Sequence, residues 1–428
     1  MPASHRVSNR SIAIAALSTA VEWYDFTLYL YFATVLARVF FGGGEASLAA
    51  TLGGFAVAYL MRPVGAVVFG HIGDRRGRRP MLLLSMAVMS AAMLATALLP
   101  THAQVGGAAA WLLFGLRCVM GFSVGGEYTG VIAYLLEGAR PERRGFVASL
   151  AAMASEIGAL LAVGVAALTV SLLSEGELQA WGWRVPFLVG AALAGAVWFA
   201  RSSMDESPDF ERMRDAGTLA LNPLAHAVSR QRAALARAFA ISALGSITYY
   251  VGITYVPAFL TSVGAMGEAD SLWLSTIAAV AVIAVTPIVG LLSDRHGRKP
   301  ALVVLAVLSA ALPIALFALM AGASAELALL GAVVLALVAG GVSAVGAIAT
   351  GEQFTEESRA SGLGLGYTLA TVVFGGLTPY VAQRLVDATG VPHMPGVMIA
   401  MVAIAVLPVF VLMPETAPRQ ARSRPSPP

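Results

Sequence analysis

Gly70-His71-Ile72-Gly73-Asp74-Arg75-Arg76-Gly77-Arg78-Arg79-Pro80 returns as Gly290-Leu291-Leu292-Ser293-Asp294-Arg295-His296-Gly297-Arg298-Lys299-Pro300. The two stretches keep glycine, Asp-Arg, Gly-Arg, a second cation and proline at the same places, 220 residues apart. Each follows the second of six apolar runs, so the chain reads as two similar halves. The runs fall near 12–38, 47–71, 81–100, 107–137, 146–173 and 184–200, then near 237–264, 272–292, 301–321, 327–350, 361–386 and 395–413. Twelve runs with short connections imply an all-α membrane protein of two six-helix halves, since a spanning helix needs about 20 apolar residues.

Composition agrees. Hydrophobic residues make up 58% of the chain and charged residues 12%, against roughly 45–50% and about 25% in soluble domains. A soluble fold of this length could not hide so much apolar surface, whereas lipid accepts it. The single cysteine, Cys118, excludes a disulfide within the chain, and 44 glycines suit close helix packing. The first apolar run is too long for a signal-peptide core and carries Glu22 and Asp25, so it reads as a span.

Arginine and lysine fall in every second connection: Arg75, Arg76, Arg78 and Arg79, then Arg140, Arg143 and Arg144, then Arg295, Arg298 and Lys299. Arg6 and Arg10 at one end, and Arg419, Arg422 and Arg424 at the other, place both termini in the cytoplasm. That requires an even number of spans. The expected layout is a first half over 1–200, a polar cytoplasmic linker over 201–236, a second half over 237–414 and a tail over 415–428. The net charge of +3 sits in loops and suits topology rather than nucleic-acid binding. A membrane enzyme would need His, Cys, Asp or Ser clustered at one depth, and the six histidines lie mostly in loops and ends.

Repeated halves of this size typify transporters in which one half rocks against the other. The paired Gly-x-x-x-Asp-Arg-x-Gly-Arg-Arg/Lys loops resemble those of the major facilitator superfamily. Five further stretches resemble its metabolite–proton symporter branch, which includes proline/betaine, citrate, α-ketoglutarate and shikimate transporters. They are Glu22-Trp23-Tyr24-Asp25-Phe26, Arg62-Pro63-Val64-Gly65, Gly121–Gly130 around Glu127, Trp181–Phe187 and Phe374–Pro379. The resemblance implies a proton-coupled symporter importing a small polar metabolite by alternating access. It also implies a monomeric multi-pass protein of a bacterial-type inner membrane, with the proton as coupling ion and no metal or other cofactor. A citrate or dicarboxylate symporter is the alternative. A drug–proton exporter is disfavoured, since the fifth span lacks that group's Gly-Pro motif. The tail and linker show no coiled-coil heptad, which argues against the tail-borne osmosensor of some proline/betaine relatives.

In the loops the resemblance implies a gate formed by Gly70, Asp74, Arg75, Gly77 and Arg78 with Asp294, Arg295, Gly297 and Arg298. Asp74 would cap the next helix or pair with cations of the other half; simple retention of the loop on one side is the alternative. Charges inside a span are costly and functional by default. Those expected are Glu22, Asp25, Arg62, Arg117, Glu127 and Glu156, all in the first half. Asp25 lies about 14 residues into its span, near mid-membrane at roughly 1.5 Å per residue. Arg117-x-x-x-Gly121 resembles the sugar-porter stretch whose arginine pairs with a first-span aspartate. A pair whose separation changes would load and release a proton, and a permanent ion pair is the alternative.

Glu22 reads either as a second proton site or as a partner of Arg62, and Glu127 as an ion-pair member or as a proton or substrate site. Glu156 stands where sugar porters place a substrate-contacting glutamine; substrate contact, proton carriage and structural pairing all remain open. In the second half Tyr249, Tyr250, Tyr255 and Phe374 are candidate substrate contacts, with Pro257 able to loosen the helix. Tyrosine rings could hold a quaternary amine. Arg62 and Arg117 would welcome a carboxylate, and together with Glu156 they point to a zwitterion. Trp181 and Trp183 read as interfacial anchors.

Overall fold

The computed structural model describes residues 7–43, 45–263, 268–322 and 324–417. Arg6, Arg419, Arg422, Arg424 and the tail from 418 lie outside the described residues. The fold is the twelve-helix one, all-α. Eight of the twelve spans are continuous helices: Arg78–Ala97, Ala108–Gly138, Arg144–Leu172, Arg184–Arg201, Glu268–His296, Arg298–Gly322, Ala325–Gly351 and Met394–Leu412. The other four spans, the first, second, seventh and eleventh, are interrupted. The first runs Asn9–Tyr31 and Ala33–Phe41, and the second Glu45–Tyr59 and Met61–Arg76. The seventh and eleventh pass through a wide π turn, at Tyr250–Thr254 and Val372–Gly376.

Three of the four interruptions have one cause. Pro63, Pro257 and Pro379 each sit in the first turn of the helix that resumes, after Leu60, Tyr255 and Leu377. Proline lacks an amide to donate and crowds the preceding carbonyls, so the helix restarts just upstream, where a missing N–H costs nothing. Ten stretches among the described residues are long and apolar enough to cross a membrane. The first two spans are the remainder, because they are broken and carry the buried charges.

The chain packs as two compact units that do not follow chain order. The first comprises Met1–Gly138, Ala154–Ala225 and Glu356–Gly364; the second comprises Ala139–Met153, His226–Thr355 and Leu365–Pro428. In the first unit, spans two and four meet backbone to backbone. A Cβ on Gly65 would fall 1.8 Å from the Phe122 carbonyl oxygen, and one on Gly125 would fall 2.0 Å from that of Arg62. Gly121, Gly126 and Gly130 make similarly close contacts with Ala58, Phe69 and Met81. Only glycine allows this approach, and it brings the fourth-span Arg117 and Glu127 near the charges of spans one and two.

The linker holds two short helices, Pro208–Asp215 and Pro223–Arg230. Trp181 is half exposed, as an anchor should be, but Trp183 is fully buried. Its ring meets Phe40 edge-on at 4.9 Å, so it is a core residue and not an interfacial one.

Candidate functional site

A small cavity in the first unit is lined by Glu22, Asp25, Phe26, Tyr59, Arg62 and Arg117, among others. Its volume of about 30 Å³ is room for water and no metabolite. Asp25 and Arg117 form a buried bidentate pair, Nη1 to Oδ2 at 2.8 Å and Nη2 to Oδ1 at 3.2 Å. The Arg117 guanidinium also lies 5.0 Å from the Tyr29 ring. Glu22, one turn before Asp25, meets Arg62 at 3.7 Å. Arg62 lies over the Tyr59 ring at 4.2 Å and near Phe26 at 5.5 Å. Four residues expected from the sequence thus share one site.

Glu127, though near them, is paired elsewhere. Both its oxygens bind Arg201, and Oε2 also accepts from Ser85 Oγ at 2.5 Å. Arg201 is itself wholly buried and donates to the Leu82 carbonyl at 2.7 Å and to Ser18. The arrangement is that of a structural ion pair, with every Glu127 oxygen engaged. Glu156 is buried on the fifth span but does not line the cavity. Its neighbour Gly158 packs against the Ala20 carbonyl of the first span.

The repeated loops build one network twice. In the first unit Asp74 accepts from the amides of Ala360 at 3.1 Å and Ser361 at 2.9 Å, and from Arg78 at 2.6 Å. In the second unit Asp294 accepts from the amides of Gly145 at 2.8 Å and Phe146 at 2.9 Å, and from Arg298 at 2.9 Å. Each aspartate therefore caps a distant helix start, not the helix that follows its own loop. A carboxylate there meets unsatisfied N–H groups and the positive end of the helix dipole. The following helix is capped instead by a glutamate. Glu206 accepts from the amides of Arg78 at 2.9 Å and Arg79 at 3.2 Å, and Glu415 from those of Arg298 at 2.8 Å and Lys299 at 3.1 Å.

The basic residues at the centre also correspond. Arg78 bridges Asp74 and Glu137, the latter at 2.8 Å, and Arg298 bridges Asp294 and Glu352, the latter at 3.2 Å. Ser207 donates to Glu137, as Thr416 does to Glu352. Gly77 and Gly297 turn the chain at φ +111° and +109°, a region that favours glycine. Arg75 and Arg295 belong to no such network; both are exposed, so the sequence grouped them too closely with Arg78 and Arg298.

The first unit carries further charge around this network. Arg359 reaches Glu137 at 2.9 Å and Asp209 at 3.1 Å. Asp205 accepts from the Ser8 amide and the Ser11 hydroxyl, both at 3.1 Å. Those bonds, the Ser8 amide first, hold Asp205 below the ordinary aspartate range. Burial pushes Glu206 above the ordinary glutamate range, against the pull of its backbone donors.

In the second unit Tyr249 and Tyr250 meet edge-on at 5.6 Å, at the entry to the π turn. Tyr250 packs against Gly375, where a Cβ would sit 3.0 Å from its ring. Phe374, the residue before Gly375, meets Phe239 edge-on at 6.0 Å. Tyr255 is buried and donates to Gln383 at 2.7 Å.

Arg201, Glu137, Arg359, Glu206 and Glu415 were missed as functional residues in the sequence. Arg201 stands beside the polar linker and reads as its first charge. The other four carried a signal: Glu137-x6-Arg144 recurs as Glu352-x6-Arg359, and Met204-x-Glu206-Ser207 as Met413-x-Glu415-Thr416.

Residues 11–226 match the profile of the family "Sugar (and other) transporter", and residues 266–428 that of the "Major Facilitator Superfamily". The chain is 32% identical over 419 residues to a glycine betaine/proline/ectoine/pipecolic acid transporter, OusA, of Dickeya dadantii, covering 95% of this chain and 83% of that protein. The chain belongs to the major facilitator superfamily. This transporter is also 33% identical over 380 residues to the alpha-ketoglutarate permease of Escherichia coli, with 88% and 87% covered. A citrate-proton symporter of Klebsiella pneumoniae is 30% identical over 387 residues, with 90% and 87% covered. The solved structure of the proton:xylose symporter XylE superposes with a TM-score of 0.77 over 95% of this chain and 96% of that one, at 18% identity, which speaks for the fold. The protein is therefore a multi-pass metabolite transporter and not an enzyme.

Proposed function

We propose that the transporter is a proton-coupled symporter that imports a small metabolite bearing a carboxylate, by alternating access. A zwitterion such as proline or a betaine is the first choice, and a citrate-like or dicarboxylate anion the second. The observation that carries the reading is the first-unit cavity, where two carboxylates and two guanidiniums are buried around a space with room for water. Buried carboxylates beside water can take and release protons, and a buried guanidinium recognises a carboxylate in a planar, bidentate way. The named substrates of the three relatives (betaine, proline, ectoine, pipecolic acid, α-ketoglutarate and citrate) all carry a carboxylate. Tyr249, Tyr250, Tyr255 and Phe374 are proposed as neutral contacts, the rings suiting a quaternary amine. Glu156 is proposed as a contact for an ammonium group. The proton is the coupling ion, and the protein sits as a monomer in the inner membrane with both termini cytoplasmic.

The test is uptake of labelled proline, glycine betaine, citrate and α-ketoglutarate into proteoliposomes, with and without an acid exterior. Accumulation of at least one probe that collapses without the gradient is expected. Gradient-independent uptake of every probe, or none at all, would sink the reading.

A further inference from the structure

The two ion pairs around the cavity are not alike. Asp25 has both oxygens taken by one guanidinium, at 2.8 and 3.2 Å. Glu22 meets Arg62 through Oε1 at 3.7 Å, beyond hydrogen-bond length, and Oε2 is buried with no hydrogen-bond partner among the described residues. A carboxylate oxygen buried without a donor is costly as an anion and is satisfied by a proton. Water in the adjoining cavity can deliver one. Tyr59 and Phe26 hold the Arg62 guanidinium over their rings, so its position does not depend on Glu22 alone.

The remaining charges near Glu22 are committed elsewhere. Glu127 and Arg201, which Glu22 senses electrostatically, are locked to each other. Arg117 is locked to Asp25. Tyr128 on the fourth span and the buried Glu156 on the fifth are further titratable groups on the elements packed against this part of the first span.

We propose that Glu22 and Arg62 are the coupling switch, in which a proton on Glu22 releases the Arg62 guanidinium to the carboxylate of the substrate while Asp25 and Arg117 stay paired. The proposal rests on the proton-symport reading above. Hydronium gives its proton to a Glu22 oxygen, leaving water and a neutral acid that no longer offsets the Arg62 charge. The substrate carboxylate restores the pairing, as a bidentate partner rather than a distant one. Without the proton, two carboxylates would compete for one cation and repel each other. When the substrate leaves, Arg62 returns to Glu22 and the proton is expelled. Linkage makes this reciprocal: the proton favours substrate, and substrate binding takes up a proton.

The experiment uses the full chain in weakly buffered detergent with a pH-sensitive dye, titrated with each of the four probes, and the same proteins in proteoliposomes. The wild type should take up a proton on binding. Glu22→Gln should bind with an affinity indifferent to pH, take up no proton, and still exchange labelled substrate across the membrane. Its gradient-driven accumulation should be lost, falling to the level reached without a gradient. Asp25→Asn, whatever its transport rate, should still take up the proton. Proton uptake retained by Glu22→Gln, or lost from Asp25→Asn while it still binds, would overturn the switch; the second arm decides alone if Glu22→Gln fails to fold. Gradient-driven uptake absent from the wild type would instead count against symport itself.

Discussion

Asp74 in the first unit and Asp294 in the second each hold two backbone amides and an arginine, at similar distances. A glutamate with a hydroxyl neighbour completes each network, Glu206-Ser207 in one and Glu415-Thr416 in the other. Away from the loops the units part company. The first buries Glu22, Asp25, Arg62, Arg117, Glu127 and Arg201 among its helices, whereas the second sets Tyr249, Tyr250, Tyr255 and Phe374 around two π turns. The difference teaches that an internal repeat preserves what holds helix ends and lets the interior diverge. Helix termini always present the same unsatisfied amides, but an interior answers to whatever it must bind.

The comparison can be broken most sharply at its central arginines. Arg78→Ala takes from Asp74 and Glu137, both fully shielded from solvent, the guanidinium they share, leaving Asp74 its two amides and Glu137 only Arg359 and Ser207. Removing one partner of such a buried pair costs about 3–5 kcal/mol. Arg298→Ala should cost less, because its partners are slightly exposed and its bonds longer. Thermal unfolding of the two variants in detergent would check the order, and a reversed order would end the claim that the first network is the tighter.

The capping aspartates should behave as equals. Asp74→Asn and Asp294→Asn each remove charge-assisted hydrogen bonds worth about 1.5–3 kcal/mol. Each should slow transport by a similar factor while leaving membrane insertion unchanged, as read from uptake rates normalised to inserted protein. A large effect in one and none in the other would show that the repeated geometry hides unequal roles.

Smaller effects probe the interiors. Tyr255→Phe loses the hydrogen bond to Gln383, about 0.5–1.5 kcal/mol, and should leave the pH dependence of transport untouched. A shifted pH profile would bring the second unit into proton chemistry.

The smallest effects lie in the neighbours Asp205 and Glu206, whose shifts are opposite in sign. Asp205 is held below its ordinary range, so its contribution is present above that range and is lost as pH falls through its lowered value. Glu206 is pushed up, so its contribution is full below the ordinary range and is lost as pH rises through its raised value. Asp205→Asn should therefore lower the melting temperature at neutral pH but not in strong acid. Glu206→Gln, which keeps an acceptor for the backbone amides and cannot ionise, should gain relative to wild type as pH rises. Melting curves across pH would check both. Pro414 occupies the place of Asp205 in the second unit, so that hook to the N-terminal segment has no counterpart there.

Much of this was readable from residues alone. Apolar length and the placement of arginine gave the spans, and the glycine pairs of the fourth span gave its close packing, because both follow from local composition. The pair Asp25–Arg117 is implied by the resemblance of the fourth span to sugar porters, and Glu22–Arg62 is one of the two readings open to Glu22 among the few ionisable groups inside spans. Arg201 was read as the start of the linker because a residue at a helix end gives no sign of which way its side chain turns. Trp183 misled for the same reason.

The amino-acid order determined that there would be twelve spans in two similar halves, because hydrophobic length is a property of short segments; which prolines interrupt a span was decided by the fold, since Pro287, Pro313 and Pro408 lie inside continuous helices. Only the tertiary structure decided which carboxylate meets which guanidinium. Asp74 reaches Ala360 and Ser361, nearly three hundred residues away; Glu127 is closed by Arg201, and Glu22 is left with a bare oxygen. Such pairings depend on which helix ends and faces are brought within a few ångströms, and Coulomb and hydrogen-bond energies fall too steeply with distance for chain order to foretell them.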